Sequence, residues 1–375
     1  MKVLVTGVLG QDGANMVEYL LKNTDHEIYG VIRRSSNPNF VNCQEFMDNA
    51  RFKFVYGDLS DNVSIDSLVK DIQPDYFINF GAQSFVGCSW EIPLQTFDVN
   101  ATGVVRCLEA IRKNNPNCRF YSAGSSEEFG DVSYSPQDIR HPIRPRSPYG
   151  ASKAAARHAV KVYRESYNLY AVHGILSNHE GVKRGQEFVT RKISKGVARI
   201  NHSIDNKQPF TPIELGNLNA KRDWSDSEDF VDGVWRMINQ EKYRPDLRSN
   251  LYKGGKYSKT LLANIKDYIL SSNETHSIRE FVEKAFQAAG LEGAWHGNAE
   301  GEEFSLTSNL ISNRDARSSV LVKINPKFYR PAEVELLLGD SSEAREELGW
   351  SPKSSFSDLV NKMVKHDISL LTNPR

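Results

Sequence analysis

Tyr149-Gly150-Ala151-Ser152-Lys153 sets a phenol and a primary ammonium four residues apart, on one face if the segment is helical. A tyrosine hydroxyl ionises near pH ~10, and bringing that to about 7 takes about 4 kcal/mol of differential stabilisation. The Lys153 ammonium favours the phenolate, so the spacing predicts a Tyr149 that serves as general base on an alcohol while a hydride leaves the same carbon. Upstream, the run Ala123-Gly124-Ser125-Ser126-Glu127-Glu128-Phe129-Gly130 follows an apolar strand. Ser125 is placed to bond the same oxygen as Tyr149. Glu127 adds a carboxylate that simple alcohol oxidation does not need. Beside a transient ketone it would take a proton from the neighbouring carbon. Its neighbour Glu128 is expected to face solvent.

A second constellation binds rather than reacts. Thr6-Gly7-Val8-Leu9-Gly10-Gln11-Asp12-Gly13 lies between a strand pattern and a helix pattern. Gly7 and Gly10 let the backbone turn tightly and approach a phosphate, and Gly13 lets helix and strand pack closely. The helix N-terminus then aims free N–H groups at a pyrophosphate. About 20 residues on, an acidic side chain would read the ribose hydroxyls of NAD. This chain has Arg33-Arg34-Ser35-Ser36 there. A carboxylate would repel a 2′-phosphate, whereas guanidiniums and hydroxyls bind it, each charge-assisted bond contributing about 1.5–3 kcal/mol. The expected cofactor is therefore NADP.

Elements must position these groups. Strands are predicted at 2–6, 27–32, 52–56, 76–80, 119–122 and 171–176, with helices at 14–22, 64–70, 101–113 and 152–167 between them. Near-continuous apolar strands alternating with helices make an α/β fold, a doubly wound parallel sheet of the Rossmann type. After residue 176 the pattern turns polar and Gly-rich through 179–225. A helix at 227–240 and a strand at 268–271 are expected to rejoin the first domain. The expected division is residues 1–178 with 226–272 as the dinucleotide-binding domain, and 179–225 with 273–375 as a smaller, mixed α/β substrate lobe. Amphipathic helices are expected at 277–289 and 356–368, the latter with Phe356, Leu359, Val360, Met363 and Val364 on one face. Residues 243–264 hold three tyrosines, five Lys or Arg and a Gly-Gly, and read as a solvated surface loop.

The chain has 375 residues, with 47 Lys+Arg against 47 Asp+Glu. Two or three domains fit that length. Zero net charge excludes a grip on nucleic acid or an anionic membrane through bulk charge. The four cysteines form no C-x-x-C pair, so neither a disulfide framework nor a Cys-based metal site is expected. The N-terminus carries no signal-peptide pattern and no apolar run is long enough for a membrane span, which makes a cytoplasmic enzyme the expectation.

Taken together, the stretches TGVLGQDG, VIRRSS, GDLSD, GAQSFVG, AGSSEEFG, PRSPYGASK, GILSNHEGVKRG, EFVTRKI, LGNLNAKRDW, FYRPAEVELLLGD and EELGWSP resemble the extended short-chain dehydrogenase/reductase family, within it the sugar-nucleotide 4,6-dehydratases that act on GDP-mannose. The resemblance runs along nearly the whole chain. It implies conversion of GDP-D-mannose to GDP-4-dehydro-6-deoxy-D-mannose and water. Ser125, Glu127, Tyr149 and Lys153 would be catalytic, with Tyr149 and Lys153 also touching a tightly bound NADP that is regenerated each turnover. Further NADP contacts are implied at Asp58, Leu59, Phe80, Ala82, Ser84, His179 and Arg184. Contacts to the sugar nucleotide are implied at Ser126, Asn178, Lys192, Arg222, Arg330 and Glu333. Ser126 stands where relatives acting on dTDP-glucose carry Asp, which leaves Glu127 as the candidate acid for the leaving hydroxyl. His179 reads equally well as a packed structural histidine. The chain departs from the family pattern at Phe85 (His), Gln95 (Tyr) and Gly181-Val182-Lys183 (Ser-Pro-Arg). A homodimer or homotetramer is implied by analogy. A GDP-sugar reductase or epimerase would keep Tyr149 and Lys153 without needing Glu127. A non-catalytic nucleotide-sugar-binding protein would need none of the four.

Overall fold

The alternation of strand and helix is what the chain adopts in the computed structural model, which describes residues 1–248, 257–307, 319–329 and 336–372. The first half runs β1 (Lys2–Thr6), α1 (Gln11–Asn23), β2 (Glu27–Ile32), β3 (Phe52–Tyr56), α2 (Asn62–Ile72), β4 (Tyr76–Asn79), α3 (Pro93–Phe97), α4 (Gly103–Asn114), β5 (Arg119–Ala123), α5 (Pro148–Tyr167) and β6 (Ala171–Leu176). Every residue of β4 and β6 is buried. Helices cover both faces of these strands, so their sequences show no polar alternation.

Beyond β6 come β7 (Asn178–Glu180), α6 (Val189–Asp205), β8 (Ile213–Leu215), β9 (Lys221–Arg222), β10 (Trp224–Asp226), α7 (Ser227–Met237), α8 (Pro245–Arg248), α9 (Lys259–Asn264) and β11 (Tyr268–Leu270). β11 pairs parallel with β6, giving a seven-stranded sheet of order β11-β6-β5-β4-β1-β2-β3. The chain moves outward from β1 in one direction to β3, then returns to β4 and goes the other way. The switch point therefore lies between β1 and β4, where a crevice opens at the carboxyl ends of the strands. The loops after β1, β4 and β5 all emerge there. The remaining elements are β12 (His276–Ser277), α10 (Ile278–Ala288), β13 (Gly293–His296), β14 (Glu303–Leu306), β15 (Val320–Ile324), β16 (Leu336–Leu337), α11 (Ser342–Leu348) and α12 (Phe356–Thr372). Phe356, Leu359, Val360, Met363 and Val364 of α12 are buried in one apolar cluster with Ile193, Val197 and Ile200 of α6 and Phe281 and Phe286 of α10.

Two expectations are corrected here. The stretch 179–225 was read as polar and Gly-rich, yet it contains the 17-residue helix α6. Its basic and hydroxyl residues hide a narrow apolar stripe, and tertiary packing against α12 supplies what propensity does not. The second concerns 243–264, of which 249–256 lie outside the described residues. The described remainder is not a solvated loop: Leu247 and Leu261 are fully buried in the main core. The Tyr257 hydroxyl donates to the Asn117 carbonyl at 3.1 Å. The Arg119 guanidinium lies 4.7 Å from the ring centre of Tyr170 and 5.7 Å from that of Tyr257, and bonds Glu241 at 2.7 Å. Tyrosines beside cations looked like surface residues, but here the rings cover a buried guanidinium. Arg119→Met is expected to destabilise the fold by about 3–5 kcal/mol, because it strands Glu241 as a buried, unpaired carboxylate. A lowered urea midpoint checks this.

Candidate active site

Helix α5 begins earlier than the periodicity indicated. Ser147 caps it, its hydroxyl accepting the Gly150 N–H at 3.0 Å, and Pro148 occupies the first turn, where its missing N–H costs nothing. Tyr149 is thereby held in the opening turn at the carboxyl edge of the sheet. The turn after β5, a short 3-10 segment Ser126–Glu128, packs directly on it. A Cβ at Gly150 would stand 2.5 Å from the Glu127 carbonyl oxygen, so only glycine permits this approach. Ser125 stands close enough to the Tyr149 hydroxyl to lower it, and its Oγ accepts the Glu127 N–H at 3.2 Å. Tyr149, Lys153, Ser126 and Glu127 are all buried, while Ser125 is half-exposed. The structure thus brings Ser125, Glu127, Tyr149 and Lys153 together where the turn after β5 meets the first turns of α5.

The electrostatics differ from the expectation. Burial pushes the Tyr149 hydroxyl well above its ordinary range, with Glu127 adding to the rise; the bond from Ser125 and the charge of Arg184 offset it only in part. Burial likewise lowers Lys153, to about 8, against the opposing pull of Glu128 and Asp12. The Lys153 ammonium donates to the Ala123 carbonyl at 2.6 Å and lies 5.8 Å from the Tyr149 ring centre. Lysine alone therefore does not bring the tyrosine toward neutrality, because desolvation outweighs it. Glu128 is a further correction. It is fully buried, not in solvent, and it accepts the Ser125 N–H at 2.9 Å.

The glycine turn lines a cavity of about 420 Å³ together with Arg33, Ser35, Asp58, Leu59 and Ala82. Gly7 has φ +70°, and a Cβ there would come within 2.9 Å of the Gly81 nitrogen. The Gly10 N–H closes the turn on the Gly7 carbonyl at 2.9 Å, and Gly13 packs beneath it. Gln11, in the first turn of α1, keeps a buried Oε1 without a hydrogen-bond partner. A backbone cradle open to phosphate, joined to a slot ending in Arg33 and Ser35, fits a dinucleotide.

Other predicted residues lie elsewhere. Arg34, Ser36 and Ser84 are exposed outside the cavity lining, and Arg34 donates to the Ser35 carbonyl at 2.5 Å. Phe80 packs 5.7 Å from the Tyr121 ring. His179 bonds Asp12 at 2.9 Å and stacks on Phe230 at 4.8 Å. Burial alone would raise the Asp12 carboxyl and lower the His179 ring, but their mutual attraction reverses both shifts. His179 thus has the packed arrangement, anchoring α1 to β7. Arg184 pairs with Glu180 at 3.0 Å and lies 3.5 Å over the Phe188 ring, whose edge meets Phe85 at 5.9 Å.

On the sugar-nucleotide side, Asn178 sits on β7 opposite Trp224. The Lys192 ammonium lies 3.5 Å over the Phe328 ring. Arg222 is buried on β9 and donates to the Lys221 carbonyl at 2.8 Å. Arg330 and Glu333 lie outside the described residues. Sequence reasoning missed Thr6, whose hydroxyl accepts the Gly81 N–H at 2.9 Å and orders the cavity wall. It also missed Asn100, in a π-helical turn before α4. Its amide links the Gln83 backbone to Ser152 of α5 at 3.1 Å. No local pattern announces such a turn, though π-bulges recur at functional sites.

A solved dTDP-glucose 4,6-dehydratase from Streptomyces venezuelae, with NAD and TYD bound, superimposes with a TM-score of 0.75 at 19% identity, over all of this chain and 98% of that one. A UDP-glucuronic acid 4-epimerase from Bacillus cereus, in complex with UDP-glucuronic acid and NAD, gives 0.73 at 19%, over 99% and 100%. Sheet order, glycine turn and the Ser-Tyr-Lys cluster define a short-chain dehydrogenase/reductase fold. Within that class, the sequence profile for GDP-mannose 4,6 dehydratase matches residues 4–249 and 257–363. GDP-mannose 4,6 dehydratase of Drosophila melanogaster is 39% identical over 98% of this chain and 86% of its own length. That of Homo sapiens is 37% identical over 99% and 92%. The chain belongs to the GDP-mannose 4,6 dehydratase family.

A Lys153 ammonium that ionises near 8 is present below that pH and lost above it. Turnover is expected to fall as pH rises through about 8, with the fully active form on the acidic side of that limb. A profile of kcat against pH checks this.

Proposed function

We propose that the chain dehydrates GDP-D-mannose to GDP-4-dehydro-6-deoxy-D-mannose, using NADP. The reading is carried by the shared burial of Glu127 with Tyr149 and Lys153, because oxidation alone needs no second acid–base group. A nicotinamide dinucleotide held at the glycine turn and Arg33 would supply the hydride acceptor for C4 and the hydride donor for C6. Tyr149 takes the 4-hydroxyl proton while Ser125 holds the same oxygen. The phenolate is disfavoured by desolvation, and Ser125 and the charge of Arg184 offset that in part, with the Lys153 ammonium four residues on in the same helix. With C4 a ketone, the C5 proton becomes acidic and passes to Glu127. Glu127 then hands a proton to the departing C6 hydroxyl, which leaves as water. The proton that Tyr149 took from the 4-hydroxyl then passes to C5, which completes the product and returns Tyr149 to its starting state. The net change is one water lost, with no net oxidation.

NADP rather than NAD is supported by the cavity end. Arg33 and Ser35 line it, with no acidic side chain at the corresponding position of the second strand's end. Asp58 lines the same cavity, and its carboxyl is lowered: burial opposes the shift, while bonds from Ser60 and the charge of Arg33 drive it. Arg33 is thus a cation in the lining of that cavity, which supports the NADP reading.

The reaction is tested by incubating the full chain with GDP-mannose and following mass. Loss of one water without consumption of added NADPH is the expected result, and Glu127→Gln should keep ligand binding while losing about 100-fold or more in kcat. No dehydrated product from folded, cofactor-loaded protein would reject the reading, and full turnover by Glu127→Gln would reject its base. For cofactor choice, Arg33→Ala should weaken NADP by about tenfold or more and leave NAD nearly unchanged. Equal losses measured by fluorescence titration would remove Arg33 from 2′-phosphate recognition.

A further inference from the structure

The turn after β5 carries a second acid that this reaction does not use. Glu128 is 0% exposed, as is His173 on β6. One carboxylate oxygen accepts the Ser125 N–H at 2.9 Å and lies 2.9 Å from Nε2 of His173. The other carboxylate oxygen is buried without a hydrogen-bond partner, as is Nδ1 of His173. The His173 main-chain N–H donates to Asp267 at 2.8 Å, and Asp267 is gripped by Arg164 at 2.7 Å. A surface turn of three residues is capped adequately by an exposed hydroxyl or carboxylate. Sinking the capping carboxylate into the sheet beside a histidine is costly and leaves two polar atoms unpaired. That expense falls directly behind Ser125 and Glu127, whose positions this turn sets.

The charges around the pair are few and can be named. Lys153 is faced by Glu128 from the turn, by Asp12 from α1 and by Tyr149 on its own helix. Glu128 is faced by His173 from β6, Arg157 from α5 and Tyr121 from β5. Of the two anions that favour the Lys153 ammonium, Glu128 acts the more strongly, and it sits on the turn whose Ser125 N–H it accepts at 2.9 Å.

We propose that Glu128, braced by His173, is a positioning residue for the dehydration: it fixes the Ser125–Glu127 turn against Tyr149 and supplies the buried anion behind Lys153. This rests on the reaction proposed above. A buried anion that merely stabilised the fold would leave the pH profile and the balance of kcat and KM untouched.

The test uses Glu128→Leu, Glu128→Gln and His173→Gln in the full chain, with folding followed by circular dichroism and cofactor binding by fluorescence. Glu128→Leu is expected to lose about 100-fold in kcat on GDP-mannose with KM within about threefold and cofactor binding kept. Glu128→Gln retains an acceptor for the Ser125 N–H and is expected to recover to within about tenfold of the wild type, with the alkaline limb of kcat moved down by about half a pH unit or more. A Glu128→Leu kcat within about threefold of the wild type, or an unmoved limb in Glu128→Gln, overturns the proposal. If Glu128→Leu does not fold, His173→Gln decides: a kcat lowered about tenfold at unchanged KM supports the proposal and an unchanged kcat overturns it. Should the wild-type chain not dehydrate GDP-mannose, the reaction fails first, and the crystal structure of a folded variant settles the positioning role. Ser125 Oγ displaced by about 1 Å or more supports it, and Ser125 Oγ within about 0.5 Å of its wild-type place overturns it.

Discussion

The site depends on one steric constraint, the contact of the turn after β5 with the first turn of α5. The Glu127 carbonyl comes so near Gly150 that any side chain there would collide with it. Closing that distance brings Ser125 near the Tyr149 hydroxyl, with Glu127 and Lys153 buried beside it. The strand order supplies the location, since the turns after β1, β4 and β5 all open on the crevice beside β1. The glycine supplies the proximity. Without it the catalytic groups would sit on two elements that face one crevice without touching.

Burial then sets the chemistry and its direction. Taking Tyr149 and Lys153 out of water disfavours the charged form of each, so the tyrosine is raised and the lysine lowered. Both shifts oppose a phenolate–ammonium pair. The buried Glu128 and the half-buried Asp12 pull the lysine back toward its charged form. A dry cleft of this kind makes each remaining charge count for more than it would in water. The same locality reconciles a chain of zero net charge with two anionic ligands: Arg33 lines one cavity end, and Arg222 is buried on β9.

Much of the fold was legible because its strands are short apolar runs, the inner ones buried on both faces. Runs such as 2–6, 27–32, 52–56 and 171–176 coincide with β1, β2, β3 and β6 to the residue. The Tyr149/Lys153 and Ser125/Glu127 groupings were legible for a similar reason, since spacing along one helix and one turn is a local property. What escaped was set by distant partners. Helix α6 owes its stability to α12, some 160 residues on, and its own composition looks polar. The tyrosines of 243–264 looked like surface residues because their partner, Arg119, belongs to a strand far back in the chain. Asn100 joins two elements through a π turn that no composition marks.

The sequence by itself determined the class of the sheet, the glycine turn after β1, and the four side chains that are candidates for the chemistry. Those follow from periodicity and from residue chemistry at short range. Tertiary structure alone decided that Glu128 is buried behind the active turn instead of hydrated at its tip, and that His179 spends its ring on Asp12 and Phe230. It also decided that Lys153 bonds the Ala123 carbonyl and not the tyrosine oxygen. Each is a question of which groups lose water and which partners then reach them, and solvent exclusion is a property of the packed molecule, not of any segment of it.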